Sequence, residues 1–289
     1  ITMLAILKSG GTFVPIDPAF KASKINHIVE ESNVKLIISE VQFKTQLETT
    51  NKDIYCIDND EHKSYSAKML LIEANNKRPV YIIFTSGTTG VPKGVPVRAE
   101  SLQNYVNWFR NKADLTNADK TVLLTSYAFD LSYTSLWGSL LSGSEIYIPD
   151  SDIVEDPALM LDYLISNQIS YLKLTPTYLS MMLNVSGNRS IRGCESLRLV
   201  VCGGEPIRYN DINLLCESVK GITVLNHYGP TESTIGVISH EMRLDNITDI
   251  QSVSLIGSPI KNMAIFILDD ENRIVPQGVM GELCIAGIG

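Results

Sequence analysis

The chain is short of several things, and each shortage removes a class of protein. It has no Cys-x-x-Cys pair: its five cysteines (Cys56, Cys194, Cys202, Cys216, Cys284) are scattered. An odd, unpatterned set argues against a disulfide framework and points to a reducing, cytoplasmic setting. In that setting the Asn-x-Ser/Thr triplets at Asn184, Asn188 and Asn246 are chance matches. The four histidines are not spaced with another His or Cys, so there is no zinc-ligand pattern. No apolar run approaches the ~20 residues that span a bilayer, so no membrane partner is expected. Positive charge is in deficit, with a formal net charge of -8, and no nucleic-acid partner is expected either. A small polyanionic substrate must then be drawn in by local cations. Repeats and low-complexity tracts are absent. There is no initiating Met and no signal peptide, and Ile1 falls inside a helix-like stretch. That start suggests a piece of a longer protein.

What is present is an ordinary globular composition over 289 residues, 44% hydrophobic and 19% charged. Strand-like runs alternate with helical stretches. Strands are expected at Val34–Ser39, Ile54–Ile57, Val80–Phe84, Thr121–Thr125, Glu145–Ile148, Tyr171–Leu174, Leu197–Val201 and Thr223–Asn226. Leu102, Tyr105, Val106 and Phe109 recur at helical spacing, and Asp156-Pro157 reads as an N-cap and first-turn pair for a helix to about Asn167. The alternation predicts an α/β fold of layered, largely parallel sheets with flanking helices. Asn262–Leu268, a turn at residues 269–272, and Glu282–Ala286 read as antiparallel strands. We therefore expect an α/β core over residues 1–241, with the start of a β-rich, barrel-like part of the same core at 242–289. The polar stretch Asn59–Asn76 reads as a surface loop.

The strongest local signal is Tyr81-Ile-Ile-Phe-Thr-Ser-Gly-Thr-Thr-Gly-Val-Pro-Lys-Gly94. An apolar strand runs into Thr85, Ser86, Gly87, Thr88, Thr89 and Gly90, followed by Lys93. Glycines let backbone N–H groups turn inward as an anion nest, and hydroxyls and a lysine add donors for a polyphosphate. The spacing is not that of a Walker loop.

This segment resembles the signature loop of the adenylate-forming superfamily, which comprises acyl-CoA ligases, luciferases and the adenylation domains of nonribosomal peptide synthetases. Further motifs follow in that family's order. Residues 7–18 (Leu-Lys-Ser-Gly-Gly-Thr-Phe-Val-Pro-Ile-Asp-Pro) look like an early core motif of the peptide synthetases, and Phe129-Asp-Leu-Ser132 like their substrate-gate motif. Asn226-His-Tyr-Gly-Pro-Thr-Glu232 looks like their adenine and magnesium motif, and Gly281-Glu-Leu-Cys284 like the start of the late core. Ala99 departs from the His usual after the loop. The resemblance also places a ribose-binding Asp, a hinge and a catalytic Lys beyond Gly289. The small C-terminal domain is thus expected to be absent, and this chain alone is expected to turn over poorly.

The resemblance implies ATP and Mg²⁺ as cofactors and an aminoacyl-AMP as product, passed to a peptidyl carrier protein beside neighbouring synthetase modules. Lys93, Thr88, Thr231 and Glu232 would be catalytic, with Glu232 holding the metal. Tyr228 would stack on adenine with Asn226 at its edge. Gly203, Gly204, Glu205 and Gly229 would complete the nucleotide site. Phe129, Asp130, Leu131, Thr134, Lys173, Val200, Cys202, His227, Ile235 and Gly236 would form the amino-acid pocket. In that pocket Asp130 would pair with an α-ammonium, and Lys173 and His227 with a side-chain carboxylate, which resembles aspartate-selecting pockets. Cys202 stands where those pockets carry Gly, so a slightly smaller cavity is expected. The competing readings are an acyl- or aryl-CoA ligase of the same superfamily and a nucleotide-binding fragment without turnover.

Overall fold

The computed structural model describes residues 1–59, 72–73, 75–86, 91–243, 245–247 and 254–289. Two compact units divide at Glu100/Ser101. Most of the polar stretch Asn59–Asn76 lies outside the described residues.

The first unit holds α1 (Thr2–Lys8), α2 (Ala22–Glu31), β1 (Leu36–Ser39), α3 (Lys44–Leu47), β2 (Asp53–Cys56), β3 (Pro79–Ser86) and β4 (Pro92–Arg98). Ile25, Ile28 and Val29 make the apolar stripe of α2, and Ile25 and Val29 pack with Ile37 of β1 and Leu47 of α3. β1 and β2 are parallel, and β3 and β4 form an antiparallel pair. β4 is not among the sequence-expected strands, because Pro92 and Pro96 argue against one. The two prolines are tolerated because β4 pairs on one side only among the described residues.

The second unit opens with α4 (Ala99–Lys112), whose first two residues lie before the boundary. It contains β5 (Lys120–Val122), α5 (Tyr133–Ser142), β6 (Glu145–Tyr147), α6 (Ser151–Glu155), α7 (Pro157–Asn167), β7 (Tyr171–Leu174), α8 (Pro176–Leu183), β8 (Leu199–Gly203), α9 (Tyr209–Ser218), β9 (Thr223–Tyr228), β10 (Ile238–Met242) and β11 (Ser258–Pro259). These strands form one seven-stranded sheet in the order β11-β10-β9-β8-β7-β5-β6. β6, β5, β7, β8 and β9 run parallel, whereas β10 is antiparallel to both of its neighbours, β9 and β11. Every residue of β7 and β8 is buried, as expected for parallel strands covered on both faces. A separate hairpin, β12 (Met263–Leu268) and β13 (Glu282–Gly287), lies downstream. Asp269 closes the turn after β12 by accepting from Glu271 N and Arg273 N. Asp156 caps α7 as the sequence predicts, accepting from Ala158 N at 2.8 Å. No described helix is long and apolar enough to cross a membrane.

Candidate functional site

In the first unit, Thr85 and Ser86 end β3, and Lys93 is exposed on β4 directly across from Thr85. Gly87, Thr88, Thr89 and Gly90 lie outside the described residues. The base of this hairpin is held by α2. His27 Nε2 lies 2.9 Å from the Pro92 carbonyl and donates to it, and the His27 ring meets Phe84 edge-on. Gly94 stands opposite Phe84, where a Cβ would come within 3.1 Å of the Phe84 ring. A larger residue there would press on the Ile82 and Phe84 side chains.

In the second unit, the other candidate residues gather at the carboxyl ends of β7, β8 and β9, where ligands of parallel sheets characteristically bind. Successive side chains on a strand face opposite sides. Leu172, Leu174, Val200, Cys202 and Val224 all belong to the hydrophobic core shared with α7, α8 and α9. The opposite face carries Tyr171, which meets Phe109 of α4, and His227, which meets Tyr105 and Trp108 of α4. Lys173 shares that face, and its partners across to β8 are Val201, in register, and Gly203 two residues on.

The placement of Val200 and Cys202 in the pocket is thereby corrected. Both point into the core behind the sheet, and it is Val201 and Gly203 that share the face of Lys173 and His227. Gly203 pairs in register with His227, and a Cβ on it would lie 2.7 Å from Lys173 Nζ and 2.6 Å from the His227 carbonyl oxygen. The bare Cα lets the Lys173 side chain pass over β8. The smaller cavity expected from Cys202 falls with the same correction.

Lys173 Nζ reaches His227 Nδ1 at 3.0 Å, with 2% and 3% of the two residues exposed. An ammonium only donates, so Nδ1 accepts, and the ring is the neutral tautomer with its proton on Nε2. Burial holds the His227 pKa well below its usual value, and the neighbouring Lys173 charge lowers it further. Burial also pulls Lys173 down to about 8, against the opposing pull of Cys202 and Asp130. The two groups therefore carry one positive charge at neutral pH rather than two.

Asp130 opens a short 3₁₀ turn, Asp130–Ser132, ahead of α5. Burial raises its carboxyl pKa, against lowering by Thr231 and Lys173. Its Oδ2 and the Nε2 of His227 are buried without a hydrogen-bond partner among the described residues. Thr134 is fully buried and bonded to the Tyr105 hydroxyl at 2.7 Å, and Leu131 lies beneath Gly204. Phe129 is exposed. The Thr234–Ile235–Gly236 turn has φ of 64° and 65° at its two β-branched residues. A Cβ on Gly236 would lie 2.0 Å from both Cε1 and Nε2 of His227.

Tyr228 follows at the end of β9 and is 40% exposed. Gly229 packs against the Gly236 backbone, leaving no room for a side chain. Thr231 and Glu232 sit in a 3₁₀ turn, Thr231–Ser233. Glu232 is exposed and lines an open cleft of about 300 Å³ together with Pro230, Ser233, Met263 and Gly287. Asn226 is buried, and its amide donates to Leu255 O at 2.8 Å. Glu205 accepts from the backbone and hydroxyl of Thr177 at the start of α8, which makes it a helix cap.

Tyr105 and Trp108 stand beside this cluster without a counterpart in the sequence reading. Tyr105 enters that reading only as part of an amphipathic stripe, and Trp108 falls outside the stripe. Their i, i+3 spacing on α4 was the available signal.

The family pattern described as AMP-binding enzyme matches residues 1–289. Bacitracin synthase 3 of Bacillus licheniformis is 38% identical over 289 residues, and surfactin synthase subunit 2 of Bacillus subtilis (strain 168) is 36% identical. Each alignment takes in the whole of this chain but only 4% and 8% of those relatives. In fold, the chain resembles crystal structures of the nonribosomal peptide synthetase FmoA3. The alpha-methyl-L-serine-AMP-bound form superposes with a TM-score of 0.90 at 24% identity, over 99% of this chain and 32% of that one. With the pattern matched from end to end and relatives aligned along the whole sequence, this chain belongs to the AMP-binding enzyme family.

Proposed function

We propose that this chain activates an amino acid as its adenylate for a nonribosomal peptide synthetase, and that the amino acid is L-aspartate. The observation that supports the choice is the buried polar set on the α4 face of β7–β9. Among the described residues, Asp130 Oδ2 and the Nε2–H of His227 have no hydrogen-bond partner, although Thr231 bonds to the Asp130 carboxyl, and Lys173 uses one of its three donors on His227. Unsatisfied buried groups cost about 1–3 kcal/mol each, so a ligand that answers them gains that much over one that does not. Asp130 matches an α-ammonium, and Lys173 with His227 matches a carboxylate. With Gly203 in place of Cys202, the set also regains the glycine of the aspartate-type pockets it resembles.

The carboxylate of the amino acid would attack the α-phosphate of ATP in line, with loss of pyrophosphate. No general base is needed, because the nucleophile is already ionised. Thr85, Ser86 and Lys93 would bind phosphate oxygens, together with Gly87, Thr88, Thr89 and Gly90. Tyr228 would offer its exposed ring to the adenine. The described residues contain no cluster of three or more His, Cys, Asp or Glu side chains able to hold a metal. Glu232 as a single exposed carboxylate fits Mg²⁺, which takes most of its ligands from phosphate and water. Bound there, the ion would neutralise phosphate charge. A peptidyl carrier protein would receive the product.

The test is ATP–pyrophosphate exchange by the complete synthetase with aspartate, asparagine, glutamate and leucine, for wild type and His227→Glu. Aspartate is expected first for wild type, with the variant shifted towards asparagine, because a second carboxylate repels the substrate's. A wild type that prefers leucine, or an unchanged aspartate-to-asparagine ratio, overturns the aspartate reading. Exchange with no amino acid at all overturns the activation reading.

A further inference from the structure

His227 is held by more than its bond to Lys173. The indole of Trp108 lies flat on the imidazole, with ring centroids 5.8 Å apart and an interplanar angle of 9°. Tyr105, one turn earlier on α4, touches the same ring at 5.5 Å and 50°. The Cε1–Nε2 edge rests against the bare Cα of Gly236. Gly236 is delivered there by a turn in which buried Thr234 and Ile235 both adopt the left-handed region, which is costly for β-branched residues. Strain of that kind persists where the surroundings over-determine a geometry, and here it fixes one side of a single ring.

A histidine needs such fixing if it is to donate in one direction. The χ2 torsion of His is broad and roughly two-fold, so one hydrogen bond at Nδ1 leaves the ring free to swing. A flipped ring would set Cδ2–H in place of Nδ1 against Lys173, losing that bond and turning the Nε2–H elsewhere. The flat contact from Trp108 on α4 and the edge contact from the Gly236 turn remove both freedoms.

We propose that Trp108 is a positioning residue for amino-acid selection. It acts through His227, by holding the ring so that Nδ1 stays on Lys173 and Nε2–H keeps one direction. The proposal rests on the reading of this cluster as the amino-acid site. It goes further by assigning selectivity to a half-buried helix residue that brings no polar group to the substrate.

The experiment is a double-mutant cycle in the complete synthetase, read by ATP–pyrophosphate exchange on whichever amino acid the wild type prefers. Trp108→Leu keeps bulk but loses the flat face. It is expected to raise KM for the amino acid about three- to tenfold, the range that loss of one aromatic stack gives, with kcat and the KM for ATP unchanged. Trp108→Phe restores a flat ring and is expected to return KM close to wild type. In a His227→Gln background, Trp108→Leu is expected to have no further effect, because the group it positions is gone. An unchanged KM in Trp108→Leu, effects that add in the double variant, or a Trp108→Phe variant no better than Trp108→Leu each overturn the proposal. A wild type that prefers a hydrophobic amino acid sinks the aspartate reading alone. The cycle still judges Trp108, because coupling between Trp108 and His227 is read on any substrate of the site.

Discussion

The β3–β4 hairpin and the carboxyl end of β7–β9 each present a lysine, and the two are used in opposite ways. Lys93 is exposed on a two-stranded ribbon, and its neighbours in space are its neighbours in sequence. Lys173 is 2% exposed beneath α4, and its nearest polar partner is 54 residues away. An exposed lysine acts as a solvated point charge, and its function follows from the local motif. A buried one is defined by everything around it: a glycine that lets it through, a histidine that accepts from it, and an aspartate that shares its field. The first site is therefore robust to its surroundings, whereas the second is tuned by them.

Four measurements would break or sharpen this contrast. The largest effect is expected at Asp130. Asp130→Ala removes the acid partner of a desolvated ammonium, at a cost of about 2–5 kcal/mol in kcat/KM, and does so for every amino acid alike. Exchange that falls for aspartate but not for leucine would show that Asp130 reads the side chain instead.

Lys173→Met should uncouple stability from function. The lowered pKa of Lys173 means that the folded state resists its protonation. The penalty is present below about 8 and relieved as pH rises from there towards 10.5. Methionine removes the penalty, so thermal unfolding at pH 7 should shift up, by about 1–4 kcal/mol, while exchange with aspartate collapses. In the unmutated protein the KM for aspartate should rise above pH 8, because a bound carboxylate must then bring a proton back to Lys173. The neutral His227 adds no acid-side optimum of its own. A rise that survives in Lys173→Met would assign the titration elsewhere.

Lys93→Ala should weaken ATP use by about 1.5–3 kcal/mol, the loss of one charged hydrogen bond, and leave unfolding unchanged. A drop in melting temperature would mean that Lys93 is built into the fold as Lys173 is. The smallest effect tests the register of β8. Cys202→Gly should lower stability by about 1 kcal/mol, because Cys202 fills the core. It should leave the aspartate-to-glutamate ratio unchanged. Improved use of glutamate would return Cys202 to the pocket.

The sequence legibly carried whatever depends on contiguous residues. The eight expected strands are all present within a few residues of their expected ends, and the Asp156 cap and the turn at Asp269 form as their chemistry requires. The phosphate-loop motif, the Phe129–Ser132 and Asn226–Glu232 motifs and the family they belong to are also set by contiguous runs. β4 escaped notice because prolines hide an edge strand from propensity. Trp108 escaped because a half-buried aromatic on a helix carries no chemical signature until its partner is known.

Only the tertiary structure decided which residues of β8 face the site. Side chains alternate with a period of two, so an offset of one residue turns a pocket into a core, and no local pattern separates the faces of a strand buried on both. The same limit holds for the charge state of the site. That Lys173 and His227 share one positive charge follows from a 3.0 Å contact between strands that are not adjacent in sequence. Residue type names the groups that can ionise, but burial and the nearest neighbour decide which of them do.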